Sequence, residues 1–154
     1  MIEIPNFVPS EVCLRCQGCC RFSEAQSSWS PNLTREERRS FPGAGYKLAL
    51  EERGGGFVCS QFDPVSLECR RYADRPLECR LYPFVVHRKA GLAYLAVDRN
   101  CPFVAESYGS PFFTGILEAY RALCVSEEFR DLVRENPQII QDYGGVEIVS
   151  PIGI

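Results

Sequence analysis

The sequence predicts a small α+β domain that is stapled by metal, and three observations indicate this class. The chain has 154 residues and nine cysteines, eight of them within residues 13–101. Short apolar segments separated by glycine-containing turns predict β-hairpins. The last third carries apolar side chains at helical spacing, which predicts a helical pair over residues 111–136. A chain of this length can bury a core of its own, so we predict a single domain over residues 1–154.

Composition and charge exclude several classes of function. Hydrophobic residues make up 45% of the chain and charged residues 24%, as in ordinary globular proteins. The net charge of -3 gives no general attraction to nucleic acid or to acidic membranes. The longest apolar run, Leu92 to Val97, is far shorter than the about 20 residues of a membrane span. The first residues lack a signal-peptide pattern, so we expect a cytoplasmic protein without a membrane or nucleic-acid partner.

The N-terminal half is expected to contain one short helix and one hairpin after its first cysteines. Thr34 followed by acidic residues resembles a helix N-cap, which predicts a short helix from Thr34 to Phe41. Residues 46–53 and 57–62 have the composition of strands. The three glycines at 54–56 predict the turn between them.

A second hairpin and a closing strand are predicted further along. Residues 84–88 and 92–98 alternate as strands do, and Ala90-Gly91 supplies the turn. The apolar tail up to Ile154 is expected to add an edge strand. His87, the only histidine, falls in the first strand and is interpreted as a structural residue rather than a ligand.

Two helices follow the second hairpin in the predicted order. Apolar side chains recur at helical spacing from Pro111 to Cys124. Ser126 followed by two glutamates predicts the start of another helix, which ends before Asn136-Pro137. Cys124 lies on the apolar face of the first helix, so we interpret it as a core thiol and not as a ligand.

The first four cysteines form the most informative motif, Cys13-x-x-Cys16-x-x-Cys19-Cys20. Disulfides fit it poorly, because adjacent cysteines bridge only under strain and a two-residue loop makes a reactive bridge. The C-x-x-C spacing instead lets two sulfurs meet one ion while backbone amides point at them. Three cysteines at this spacing are typical of [4Fe–4S] clusters in bacterial ferredoxins, whereas zinc sites more often use two separate pairs. We therefore favour an iron–sulfur cluster and keep zinc as the alternative.

The later cysteines either complete this site or build a second one, and all four are predicted metal ligands: Cys59, Cys69, Cys79 and Cys101. Cys79 ranks first among them. Pro76 suits the first position of a short helix, where free N–H groups and the helix dipole favour a thiolate. A centre of several thiolates carries negative charge, so nearby guanidinium groups are expected to bind the cofactor. The predicted cofactor-binding arginines are Arg21, Arg75 and Arg80.

No motif identifies a catalytic residue. The glycines at 54–56 lack the strand-to-helix context of a phosphate-binding loop. The sequence also contains no nucleophile elbow, no zinc-protease motif and no paired carboxylates. The catalytic residues are therefore unknown, and enzymatic activity is left open.

Two further motifs accompany the first cysteines, Cys69-x-x-Tyr72 and Arg75-Pro76-x-x-Cys79-Arg80-x-Tyr82-Pro83-Phe84. Together with Cys13 to Arg21 and with Cys59, they resemble the CxxCxxCC zinc- or iron-chelating family, also called YkgJ-type cysteine cluster proteins. The resemblance covers residues 13–101 and implies a small, bacterial, cytoplasmic metal-binding protein. Related cysteine patterns in flagellin lysine methylation proteins imply an iron–sulfur centre in at least one branch. The resemblance implies nothing about residues after 110.

Three functions fit these observations. The first is a redox or cluster-bearing module that acts with a protein partner. The second is a zinc-stabilised structural or interaction domain without catalysis. The third is a metal-dependent enzyme that modifies proteins. The number of metal sites, the substrate and the oligomeric state are left open.

Overall fold

A computed structural model of the chain describes residues 2–4, 6–16 and 18–154. It confirms the mixed α+β class, with short helices and small antiparallel sheets. The chain divides into two compact units. The cysteine-rich unit is Val8–Cys79, and the sheet–helix unit is Met1–Phe7 with Arg80–Ile154. The single domain over residues 1–154 stays a prediction.

Short elements make up the cysteine-rich unit. In chain order they are α1 (Ser10–Cys16), β1 (Arg21–Phe22), β2 (Leu50–Arg53), β3 (Gly56–Cys59), β4 (Phe62–Asp63), β5 (Glu68–Cys69) and the start of α2 (Leu77–Leu81). Three single 3-10 turns lie between them, at Gly18–Cys20, Glu37–Ser40 and Tyr72–Asp74. The sequence predicted neither α1 nor the β4–β5 hairpin.

The predicted hairpin around the glycines is confirmed, with shorter strands. β2 pairs antiparallel with β3 from Leu50 opposite Cys59 to Arg53 opposite Gly56. Gly54 and Gly55 have φ angles of 60° and 81°, the left-handed pair that a two-residue turn requires and that glycine adopts without strain. β1 pairs with the other edge of β3, so β3 is the central strand.

The helix predicted from Thr34 to Phe41 is wrong in length and type. Its N-terminal signal is present: the Thr34 N–H donates to Glu37 Oε2 at 2.9 Å, and the Glu37 N–H donates to Thr34 Oγ1 at 3.2 Å. The regular part is only a 3-10 turn at Glu37–Ser40. Pro42 follows directly, and the residue before a proline is disfavoured in helical conformation, so Phe41 leaves the helix at φ -125° and ψ 74°.

A small hydrophobic core supports this unit. Its buried members are Leu33, Phe41, Leu48, Val58, Cys59 and Phe62. Cys20, Phe22 and Ala44 pack against it. Two predicted ligand cysteines therefore lie in or beside the core.

The sheet–helix unit contains the second predicted hairpin. β6 (Phe84–Lys89) pairs antiparallel with β7 (Leu92–Asp98), and the chain turns through Ala90 and Gly91, both at positive φ. β8 (Val146–Pro151) pairs with the other side of β7, so the predicted edge strand is confirmed. His87 is buried, and its Nδ1 accepts the Tyr143 N–H at 3.2 Å, which fits a structural role.

The predicted helical pair is also confirmed. α3 (Pro102–Ser107), which was not predicted, precedes α4 (Pro111–Val125) and α5 (Glu127–Glu135). The Ser126 hydroxyl caps α5 by accepting the Phe129 N–H at 3.3 Å. Cys124 is fully buried on α4, as expected for a core thiol. Within the described ranges, no helix has the length and apolar character needed to cross a membrane.

Candidate metal centre

Seven of the eight predicted ligand cysteines lie in the cysteine-rich unit: Cys13, Cys16, Cys19, Cys20, Cys59, Cys69 and Cys79. Cys101 lies in the sheet–helix unit, where it is buried directly before α3. Its assignment as a ligand stays a prediction. None of the nine cysteines is joined in a disulfide within the described part of the chain.

The first two cysteines are positioned by α1. Cys13 and Cys16 are three residues apart on this helix and therefore lie on the same face. α1 lies against β5, the strand that ends at Cys69. The 3-10 turn Gly18–Cys20 then carries the next two cysteines into β1.

Strand pairing brings another two cysteines together. Arg21 in β1 lies opposite Val58 in β3. In this antiparallel register the next residue pair is Cys20 opposite Cys59. The sheet therefore places a cysteine of the first motif beside one that is 39 residues later in the chain.

The thiols of the first motif contact one another. Cys13 hydrogen-bonds with Cys19, and this contact, followed by burial, raises the pKa of the Cys13 thiol. The same contact lowers the pKa of Cys19, but Cys20, through its hydrogen bond and its charge, and the charge of Cys16 outweigh it and raise the pKa of Cys19 to about 12. Cys16 and Cys19 are exposed residues, whereas Cys13 and Cys20 are half-buried.

Cys79 connects this group to the later cysteines. Its thiol interacts electrostatically with Cys19, Cys59 and Cys69, which come from three separate segments of the unit. Burial is the largest cause that raises the pKa of Cys79 well above its usual range. The expectation that the helix start lowers this pKa is therefore wrong, because desolvation outweighs the effect of one short helix.

Two carboxylates anchor the helix that carries Cys79. The Leu77 N–H, the first of α2, donates to Glu37 Oε1 at 2.6 Å. The same carboxylate accepts the Thr34 N–H through its other oxygen. The backbone N–H of Asn32 donates to Glu78 Oε2 at 2.6 Å, and burial raises the pKa of Glu78 to about 7. The 32–37 segment thus holds α2, and with it Cys79, through the Leu77 N–H and the Glu78 carboxylate.

Of the three predicted arginines, Arg75 approaches a thiol. Its Nη1 lies 3.9 Å from Cys13 Sγ, and its guanidinium stacks 4.1 Å above the Tyr72 ring centroid. Arg21 is exposed and lies over the Phe62 ring at 5.3 Å. Arg80 follows Cys79 in α2 and is half-buried. The cofactor-binding roles of Arg21, Arg75 and Arg80 stay predictions.

The donor chemistry of this region fits a thiolate-bound metal. Tyr72 Oη is buried and has no hydrogen-bond partner among the described residues. It nevertheless lies close enough to Cys13 to lower the pKa of that thiol, as Arg75 also does. Buried polar atoms without a partner are rare in native proteins, and a thiolate is a strong acceptor for such a hydroxyl.

The thiols contact one another in pairs rather than around one point. Across residues 2–4, 6–16 and 18–154, no group of three or more His, Cys, Asp or Glu side chains is arranged to hold a metal ion. The backbone therefore gathers seven of the predicted ligand cysteines into one unit without arranging three of the described side chains around one point.

Three contributors were missed by the sequence analysis. Tyr72 was noted only as part of a family motif, although its spacing from Cys69 matches the C-x-x-C interval. Glu37 was counted only among the acidic residues that follow Thr34. Its hydrogen bond to Leu77 joins residues that are 40 positions apart, so no local pattern indicates it. Asn32 has no local signal either, since its partner Glu78 is 46 residues away.

The buried thiol outside this region allows a pH prediction. Burial raises the pKa of Cys124 from the usual 9.0 to about 11. Between these pH values the folded chain binds more protons than the unfolded chain, so Cys124 contributes less stability as pH rises through this window. In Cys124→Ala we expect the free energy of unfolding to fall less between pH 9 and pH 11 than in the wild type, by on the order of 3 kcal/mol. Urea unfolding of the wild type and of Cys124→Ala at several pH values measures this difference. Parallel pH profiles of the two proteins would contradict the prediction.

Comparison with known proteins gives one match. The model of the CxxCxxCC family, described as a "putative zinc- or iron-chelating domain", matches residues 12–106. This range contains all eight predicted ligand cysteines and excludes Cys124. No curated protein matches the chain. No solved structure matches it either.

Proposed function

The chain belongs to the CxxCxxCC family of metal-chelating domains, and on this premise we propose that its cysteine-rich unit holds an iron–sulfur cluster. We propose further that it serves as a redox or cluster-bearing module for a protein partner. One observation carries the proposal: the unit brings cysteines of separate segments together, with Cys20 opposite Cys59 in the paired strands and α1 against the strand that ends at Cys69.

Gathering so many thiols favours a bound cation for an electrostatic reason. The Cys20 thiol raises the pKa of Cys19 by its hydrogen bond, and Cys20 and Cys16 raise it further because neighbouring thiolates repel each other. A metal ion reverses this effect and deprotonates the thiols that coordinate it. Thiolate sets of this kind select zinc, copper(I) or iron–sulfur clusters.

Three features favour an iron–sulfur cluster over a single zinc ion. Seven thiols share the unit, more than the four that close one zinc site. The spacing of Cys13, Cys16 and Cys19 is the ferredoxin type. Donors such as Arg75 beside Cys13 are groups that tune the reduction potential of a cluster through its sulfurs.

The exposure of the first motif supports a role with a partner. Cys16 and Cys19 are exposed, whereas Cys59 is buried. A centre bound by these residues would have one side near solvent, where an electron or a cluster can pass to another protein. When bound, an iron–sulfur cluster supplies one-electron transfer. This chain's residues would hold it, offset its charge and leave that side open.

We also propose a cytoplasmic location and neither nucleic acid nor membrane as a partner. Dense free thiols persist in reducing compartments. The net charge of -3 provides no basic surface for phosphates or anionic lipids.

A zinc-stabilised interaction domain is the second candidate, and the small size of the core favours it. Counted over the described residues, the hydrophobic cluster of the cysteine-rich unit has six buried members, one of them Cys59. A core of this size needs additional support, which a structural zinc ion provides in many small domains. In this case the metal would serve stability alone.

Metal analysis of the protein purified without oxygen tests the proposal. We expect a brown protein with iron and acid-labile sulfide in equal amounts and visible absorbance that bleaches on reduction. Colourless protein with stoichiometric zinc would replace the first candidate by the second. Protein with neither metal after expression in iron- and zinc-replete medium would contradict both.

A further inference from the structure

One buried hydroxyl in the cysteine-rich unit has no partner. Among the described residues, Tyr72 Oη is a buried side-chain oxygen without a hydrogen bond. Burying a hydroxyl without a partner is unfavourable, and native proteins rarely retain such a group without a reason. The reason has to be sought among the groups that surround Tyr72.

The neighbours of Tyr72 belong to the candidate metal centre. The Arg75 guanidinium lies 4.1 Å above the Tyr72 ring, and Arg75 Nη1 lies 3.9 Å from Cys13 Sγ. Arg75 therefore contacts both the Tyr72 ring and the Cys13 sulfur, which places Tyr72 beside this thiol, and the Tyr72 hydroxyl lowers the pKa of Cys13. A protonated thiol is only a weak acceptor for such a hydroxyl.

We propose that the Tyr72 hydroxyl is a positioning group that donates a hydrogen bond to the Cys13 sulfur when this sulfur is a metal-bound thiolate. The inference rests on the proposed metal centre and assigns to it a residue outside the ligand set. Tyr72 keeps its proton in this role. The hydroxyl is thus unsatisfied in the metal-free chain and satisfied in the metal-bound one.

Removing the Tyr72 hydroxyl should affect the stability of the metal-free protein and that of the metal-bound protein in opposite directions. Replacing a partnerless buried hydroxyl by hydrogen removes an unfavourable desolvation and stabilises the metal-free protein or leaves it unchanged. Removing an outer donor to a metal ligand typically weakens metal binding by about 10–100-fold. A side chain that only fills space would change both states in the same direction.

The test compares wild type with Tyr72→Phe, using zinc(II) as the metal. We expect zinc affinity, measured by competition with a chromophoric chelator, to fall by about 10–100-fold. We also expect the thermal midpoint of the metal-free protein not to fall. The rate of zinc release to excess chelator gives an independent measurement and is expected to rise.

Tyr108→Phe is the matched control. The Tyr108 hydroxyl donates to Glu147 at 2.8 Å, and the residue lies outside the range matched by the family model. This variant should keep wild-type zinc affinity and release rate. Wild-type affinity in Tyr72→Phe, or a lower thermal midpoint of its metal-free form, would overturn the role of Tyr72 alone. Wild-type protein that binds no zinc and carries no iron would overturn the metal centre itself.

Discussion

Replacing Cys79 with serine is expected to abolish stoichiometric metal binding. The half-buried Cys79 thiol interacts electrostatically with Cys19, Cys59 and Cys69, so a centre built from them loses the sulfur that joins the segments. A serine hydroxyl stays protonated near neutral pH and is a poor ligand for metals that prefer thiolates. Because metal binding is coupled to folding in small cysteine-rich domains, the free energy of unfolding should fall with the metal content. Elemental analysis and urea unfolding measure the two effects.

Two other cysteine variants make this result interpretable. Cys124→Ser changes a buried thiol on α4, outside the matched family range, and should keep its metal. Cys16→Ser changes an exposed thiol of the first motif and should lose metal, as the sequence predicts, with little change in the metal-free protein. Equal metal loss in Cys79→Ser and Cys124→Ser would remove the basis of the ligand assignment.

Replacing Glu37 with alanine is expected to give the second large effect, although Glu37 is not a predicted ligand. Its carboxylate accepts the Leu77 N–H at 2.6 Å and the Thr34 N–H at 2.9 Å. Losing both charge-assisted bonds should lower the free energy of unfolding by about 3 kcal/mol. Because Leu77 opens the helix that carries Cys79, metal affinity should also fall by at least about 10-fold. Urea unfolding and chelator competition measure these changes.

Neighbouring and conservative variants separate positioning from general damage. Glu36→Ala removes an exposed carboxylate one residue away and should leave both measurements unchanged. Glu37→Gln keeps one acceptor oxygen but sets an NH2 donor against the other N–H, so it should recover only part of the metal affinity. If Glu36→Ala and Glu37→Ala weaken metal binding equally, the link from Glu37 to Cys79 has no role in the site.

The elements that the sequence predicted well are those with local causes. Two consecutive glycines fix the β2–β3 turn, and Ala90-Gly91 fixes the β6–β7 turn, because these positions need positive φ angles. The α4 helix follows from the apolar periodicity and the α5 helix from the Ser126 cap. The helix predicted at Thr34 failed because regular structure starts only at Glu37, as a 3-10 turn, and Phe41 leaves helical conformation before Pro42.

Within the candidate site, the sequence by itself determined which atoms are available: the density of thiols, their C-x-x-C spacing and the arginine at position 75. These follow from residue identity and short-range geometry. Only the tertiary structure decided that Cys20 lies opposite Cys59, that Glu37 anchors the helix that carries Cys79, and that the Tyr72 hydroxyl has no partner among the described residues. Burial and contacts between segments 40 or more residues apart depend on how the whole unit packs, and no local pattern encodes them.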